Sequence, residues 1–206
     1  MAEMALSLRQ LMRNNINKKN QSQLLRQLNQ QFGEIAHLRR FATAVIGTYL
    51  ADRCQLKLCN AGHPRPLWYK ADQAVWNVIP SDSGDSRLTN LPLGIDDSAA
   101  YPQAVLELGP GDIVLLYTDA LTEATDSEGK MLGEQGLLNL AQSLSTSHPE
   151  RLALEIVEKL GDYASGREAE DDMTFLVIYH NARGPKRISV GEKLQVLSKV
   201  FGLKSV

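Results

Sequence analysis

Five carboxylates fall between residues 119 and 134: Asp119, Glu123, Asp126, Glu128 and Glu134. They follow the apolar run Ile113-Val114-Leu115-Leu116-Tyr117, which is set off upstream by the turn signal Pro110-Gly111. A short continuous apolar run bounded by turn residues reads as a strand buried on both faces. Asp119 then stands just past the end of that strand. A carboxylate at the mouth of a buried strand is well placed to hold a hard cation, because such ions prefer oxygen ligands. The alternative is that Asp119 caps a turn and the other four are solvated. A second stretch has the same form: Glu170-Asp171-Asp172 leads into the apolar run Met173 to Tyr179. If the two strands are neighbours in one sheet, Asp119 and Asp171 can share an ion.

The remaining elements must place these two ends together. Apolar residues at Met4, Ala5, Leu8, Leu11, Met12 and Ile16 have helical spacing. A second helix has Leu24, Leu25, Leu28, Phe32 and Ile35 inward, with Ser22 as its cap. Phe41 to Leu50 reads as a strand, and Asp52-Arg53 as a hairpin turn into a strand from Cys54 to Cys59 with one more polar face. That strand ends in Asn60-Ala61-Gly62-His63-Pro64. A lone His63 in a Gly-Pro turn, with no nucleophile motif beside it, shapes a site rather than acting as a catalyst. Leu67 to Lys70 and Val75 to Ile79 form a further hairpin, and Ser81 to Asn90 is a polar loop. Gln103 to Leu108 is the strand before the acidic stretch. Leu132 to Leu144 is a helix, and His148-Pro149 opens another with Leu152, Ile156, Val157 and Leu160 inward.

Composition bounds the rest. The chain has 206 residues, enough for one domain or one domain with an appendage. Lys and Arg number 22 against 24 Asp and Glu, so no basic excess points to nucleic acid. Hydrophobic residues make up 43%, enough for a packed core. Cys54 and Cys59 read as lying on opposite faces of one strand, which argues against a mutual disulfide and for a reducing compartment. No apolar segment is long enough to cross a membrane and no signal-peptide core precedes residue 20, so a cytoplasmic location is expected. Residues 181–206 form a linker and a basic amphipathic tail, either docked on residues 1–180 or engaging a partner.

Four motifs in order carry a resemblance: N-A-G-H-P-R-P-L at Asn60 to Leu67, L-P-L-G-I at Leu91 to Ile95, L-Y-T-D-A-L-T-E-A from Leu116, and D-D-M-T-F-L-V from Asp171. Together they resemble the SpoIIE-like branch of the PPM (protein phosphatase 2C-type) metal-dependent serine/threonine phosphatases. The resemblance covers about Met1 to Tyr179. It implies an α+β fold, an α-β-β-α sandwich of two mainly antiparallel sheets flanked by helices, here incomplete at the N-terminus. It implies Mn2+ or Mg2+ (two in the family), with Asp119 and Asp171 as metal ligands and Gly62, His63, Gly94, Ala120, Glu123 and Asp172 shaping the site. In such a site two hard cations neutralise the phosphoryl oxygens and activate a water.

Two departures stand out. Ala120 occupies a position where the family usually has glycine. The family's G-D-V-x-G-H-G motif, whose Asp bridges both metals, is not found, and its absence is expected to impair turnover and to leave an apolar sheet edge uncovered. The expected function is a hydrolase of bacterial signalling, acting on a phosphoprotein such as an anti-sigma-factor antagonist, under an upstream receiver or sensor domain. The alternative is a phosphatase-like binding module without catalysis.

Overall fold

A computed structural model describes residues 6, 9–13, 20–35, 41–80, 89–167 and 171–184. Its elements run α1 (Gln21–Ile35), β1 (Ala44–Leu50), β2 (Gln55–Ala61), β3 (Leu67–Lys70), β4 (Val75–Val78), β5 (Gln103–Glu107), β6 (Ile113–Tyr117), α2 (Ala120–Glu123), α3 (Gly133–Gln142) and α4 (Leu152–Tyr163), then β7 (Phe175–Tyr179). A 3-10 turn, Pro149–Arg151, precedes α4. Two antiparallel sheets result, ordered β1-β2-β5 and β4-β3-β6-β7.

Three apolar cores separate four layers. The first lies between α1 and the three-stranded sheet: Leu25, Leu28 and Phe32 meet Cys59 and Ala61. The second lies between the sheets, where Leu56 and Leu58 face Val114 and Ile79. The third lies under α3 and α4, where Ile113, Leu115 and Tyr117 meet Leu137, Ala141 and Ile156. β6 supplies residues to the second and third cores, alternating face by face as a strand must. This is the α-β-β-α sandwich expected from the resemblance.

Several local expectations change. β2 is buried on both faces, because α1 covers the side bearing Cys59 and Ala61. Cys54 lies in the turn before β2, at φ 51, and both thiols are free. The cap of α1 is Asn20, whose Oδ1 accepts from Gln23 N at 3.2 Å; Ser22 instead accepts from Arg26. β7 is only partly covered, with Leu176 57% exposed, because it pairs with β6 alone and forms the edge of its sheet. Val157 is also exposed rather than inward. The opposite edge, β4, is blunted by α3: Gln142 donates to Trp76 O at 2.8 Å and accepts from Trp76 N at 3.2 Å, which satisfies edge backbone groups that would otherwise face outward. The expected helix at the chain start lies largely outside the described residues, as do most of the 81–90 loop and the 185–206 tail.

Away from the acidic end, Asp112 clamps two turns. Its carboxylate accepts from Trp68 Nε1 at 3.1 Å, Ala71 N at 2.9 Å and Gly109 N at 3.0 Å, while only 4% exposed. This joins the β3–β4 turn to the β5–β6 turn and fixes where β6 begins.

Candidate metal centre

β6 and β7 are antiparallel, with Tyr117 opposite Phe175. The C-terminal end of β6 therefore meets the N-terminal end of β7. Asp119 leaves the first and Asp171 enters the second, so both acids lie at one end of the fold. Thr118 ties these ends together. Its N–H donates to Thr174 O at 2.9 Å, and its Oγ1 accepts from Thr174 N at 3.0 Å. The same hydroxyl lies 3.4 Å from the carbonyl oxygen of Asp172.

The five carboxylates of the 119–134 stretch separate by what they bind. Asp126 is used by its own turn, where Oδ1 accepts from Glu128 N at 2.9 Å and Lys130 N at 3.0 Å. Those backbone donors, Lys130's first, hold its carboxyl below the usual range. Glu134 pairs with Arg65, with Oε1 2.8 Å from Arg65 Nε and Oε2 on the guanidinium as well. Glu128 is exposed. Asp119 sits at the start of α2, where its backbone oxygen accepts from Thr122 N at 2.8 Å and Glu123 N at 2.9 Å. Its carboxylate makes no capping bond, so the turn-capping alternative does not occupy it. The short helix α2 was not legible in the sequence, where 119–134 read as one loop.

Two recesses flank α2. The first, about 490 Å³, is lined by Gly62, His63, Arg65, Asp119, Glu123 and Glu134, among others. The second, about 370 Å³, includes Ala120, Glu123, Arg167, Asp171 and Met173 in its lining. Asp119 thus faces one recess and Asp171 the other, with Glu123 on the wall they share. Asp172 lines neither; its N–H donates to Asp171 Oδ1 at 2.7 Å, which orients that carboxylate.

The turn bearing His63 is locked by Asn60. Its Nδ2 donates to His63 O at 2.8 Å, and its Oδ1 accepts from His63 N at 2.8 Å. The ring's Nδ1 lies 3.2 Å from Thr43 Oγ1. Burial lowers the His63 pKa, against smaller opposing effects from the Tyr117 backbone and the Asp119 charge. Gly62 has φ +67, and a Cβ there would lie 2.4 Å from Pro92 Cγ. The Leu91–Ile95 stretch is thus packed directly on the turn that carries His63. Gly94 lies farther along that stretch, its N–H donating to Asn29 Oδ1 of α1 at 2.7 Å. It supports the loop behind the recess and does not line it.

The donor chemistry suits a hard cation, because Asp119, Glu123 and Asp171 offer only carboxylate oxygens. Among the described residues no three of His, Cys, Asp and Glu form a group that could hold a metal ion. A hard cation of the Mg2+ type held by few carboxylates keeps several waters. The residues described do not assemble a two-metal set.

Arg65 and Thr118 were missed as site residues. Arg65 lies within the quoted N-A-G-H-P-R-P-L stretch, and its adjacency to His63 was the available signal. Thr118 is next to Asp119, but its cross-strand role depends on the β6–β7 register.

Solved structures share this four-layer fold. The SiaA-PP2C domain of Pseudomonas aeruginosa matches with TM-score 0.69 at 18% identity, covering 86% of this chain and 69% of that one. The RsbU and RsbW domains of a Mycobacterium tuberculosis protein match with TM-score 0.67 at 24% identity, covering 98% and 54%. The family model described as Stage II sporulation protein E (SpoIIE) matches residues 1–181, and the chain belongs to that family. Phosphoserine phosphatase RsbU of Bacillus subtilis is 26% identical over 160 residues, which span 76% of this chain and 44% of RsbU. Protein IcfG of Synechocystis is 24% identical over 148 residues, 72% of this chain and 22% of IcfG. The chain thus spans less than half the length of either relative. Among the described residues no helix is long and apolar enough to cross a membrane.

Proposed function

We propose that this chain is the phosphatase domain of a signalling protein, hydrolysing phosphoserine or phosphothreonine on a regulatory protein with Mn2+ or Mg2+ as cofactor. The observation that carries the reading is that the strand ends bearing Asp119 and Asp171 are neighbours, each acid lining one of two recesses that share Glu123, in a chain of the SpoIIE family. The name of RsbU, a phosphoserine phosphatase, supports the substrate class. Two structural neighbours, a SpoIIE phosphatase domain presoaked with Mn and RsbX in complex with magnesium, support the choice of metals.

Asp119 and Asp171 would hold the cation, with Glu123 on the wall between them. The bound ion supplies charge neutralisation and a water that is nucleophilic near neutral pH. The protein's own part is positional. Thr118 sets the spacing of the two strand ends, and Asn60 fixes the turn that presents His63. Burial lowers the His63 pKa, which disfavours its charged form. The substrate is read as a phosphoprotein such as an anti-sigma-factor antagonist, and the location as cytoplasmic.

A second reading is a phosphatase-like binding module that keeps the sandwich without catalysis. Phosphate release from a phosphoserine protein, followed against Mn2+ concentration, separates the two. Metal-dependent turnover abolished by Asp119→Asn and by Asp171→Asn supports the enzyme. Absence of turnover at any metal concentration, with the fold intact, supports the module.

A further inference from the structure

Arg65 carries the one permanently positive side chain among the described residues that line the Asp119 recess. Its backbone is held firmly. Pro64 and Pro66 restrict the chain on both sides, and its carbonyl oxygen accepts from Tyr117 Oη at 2.8 Å. Tyr117 is buried at 2% exposure, and desolvation pushes its phenol up to about 12, so it remains a donor across the working pH range. From this anchor the guanidinium reaches across the recess to Glu134, in the first turn of α3.

That ion pair is an exposed one, with side chains 46% and 34% accessible. The pair is bidentate, but its exposure leaves it open to exchange, since water solvates both partners well when they part. A phosphomonoester dianion offers the same fork more charge and two oxygens for bidentate pairing. The recess is otherwise acidic, through Asp119, Glu123 and Glu134, so an anion entering it needs a cationic group to meet it.

We propose that Arg65 is the phosphoryl anchor of this recess: it exchanges Glu134 for the phosphate of a phosphorylated side chain and seats that phosphate beside Asp119. The assignment rests on the reading of the chain as a phosphomonoester hydrolase. Arg65 would be a binding residue, and Glu134 the group that keeps it extended while the recess is empty. The singly charged carboxylate yields to the doubly charged phosphate, and the released Glu134 returns to water.

The test is direct binding without turnover. N-acetyl-O-phosphoserine amide and inorganic phosphate are titrated separately into the protein, without metal, and followed by amide chemical-shift changes. The two probes distinguish a phosphorylated side chain from free phosphate. Loss of a charge-assisted bidentate contact should weaken phosphoserine amide binding by about tenfold or more in Arg65→Gln. Arg65→Lys should bind at an intermediate level, keeping the charge but not the fork. Glu134→Gln should bind more tightly than the parent protein, since its competitor is neutral. Thermal melting confirms that each variant is folded, and should Arg65→Gln unfold, Arg65→Lys carries the comparison. No binding by the parent protein, Arg65 variants that bind as it does, or Glu134→Gln that weakens binding would each overturn the proposal. Turnover assays on the same variants keep the two readings apart. Arg65-dependent binding in a protein without turnover leaves the anchor standing and removes the hydrolase reading. Turnover with KM unchanged in Arg65→Gln removes the anchor alone.

Discussion

Gly62→Ala isolates how the Leu91–Ile95 loop sets the site. Gly62 has φ +67, and an added Cβ would lie 2.4 Å from Pro92 Cγ, 2.7 Å from Cδ and 2.8 Å from the Pro92 nitrogen. Left-handed backbone costs an L-residue about 1–2 kcal/mol. Overpacking against a ring that cannot rotate away adds about 1–3 kcal/mol. The expected loss is about 2–5 kcal/mol, a large share of the roughly 5–15 kcal/mol that holds a domain folded. At roughly 2–4 °C per kcal/mol for a chain of this size, the melting point should fall by about 4–20 °C. Two controls apportion the effect. Gly129 also has positive φ, +81, but nothing lies within 4 Å of its Cβ position. Gly129→Ala should therefore lose only the conformational part, about 1–2 kcal/mol. Gly161 lies within α4 with open space around it, so Gly161→Ala should stabilise by about 0.5–1 kcal/mol. Urea unfolding of the three variants measures all of this. Gly62→Ala no more destabilised than Gly129→Ala would refute the packing of Pro92 on the His63 turn.

Asp112→Ala leaves three donors, from Trp68, Ala71 and Gly109, without their carboxylate, and should destabilise by about 3 kcal/mol or more in urea unfolding, with Asp112→Asn less severe. Thr118→Val removes the hydroxyl that joins Asp119's strand to Thr174, and should weaken Mn2+ binding, measured by calorimetry, while Thr118→Ser restores it. Burial pushes the Cys59 thiol up to about 11 from an ordinary value of 9.0. At pH 8 its thiolate fraction is about a thousandth, so Ellman's reagent should label Cys54 quickly and Cys59 only with unfolding. Because the folded value is raised, the stability linked to Cys59 is full below about pH 9 and is lost as pH rises towards 11, a trend that urea unfolding between pH 8 and 11 checks.

The layers were legible because β6 is a run of five apolar residues with no polar face, and such a run has few places to go but a sheet covered on both sides. β7 has the same composition, yet it is an edge strand, and edge position is decided by neighbours rather than by a strand's own residues. The two-sided burial of β2 was missed for the same reason: α1, which covers Cys59 and Ala61, is distant in the chain. At the site, Asp119 and Asp171 could be singled out because each abuts an apolar run. What the acids bind could not be read. Asp126 is spent on its own turn and Glu134 on Arg65, 69 residues away. Nothing in the spacing of the five carboxylates distinguishes these from Asp119 and Glu123, which line the recesses.

The proposed site needs Asp119 and Asp171 together to bind a divalent cation. Electron paramagnetic resonance of free Mn2+, titrated with the folded protein and with Asp119→Asn and Asp171→Asn, tests it without any substrate. The account predicts that the protein quenches the free-ion signal and that each substitution weakens binding by about tenfold or more, since each removes a charged ligand. Mn2+ binding equally tight in both variants would contradict it.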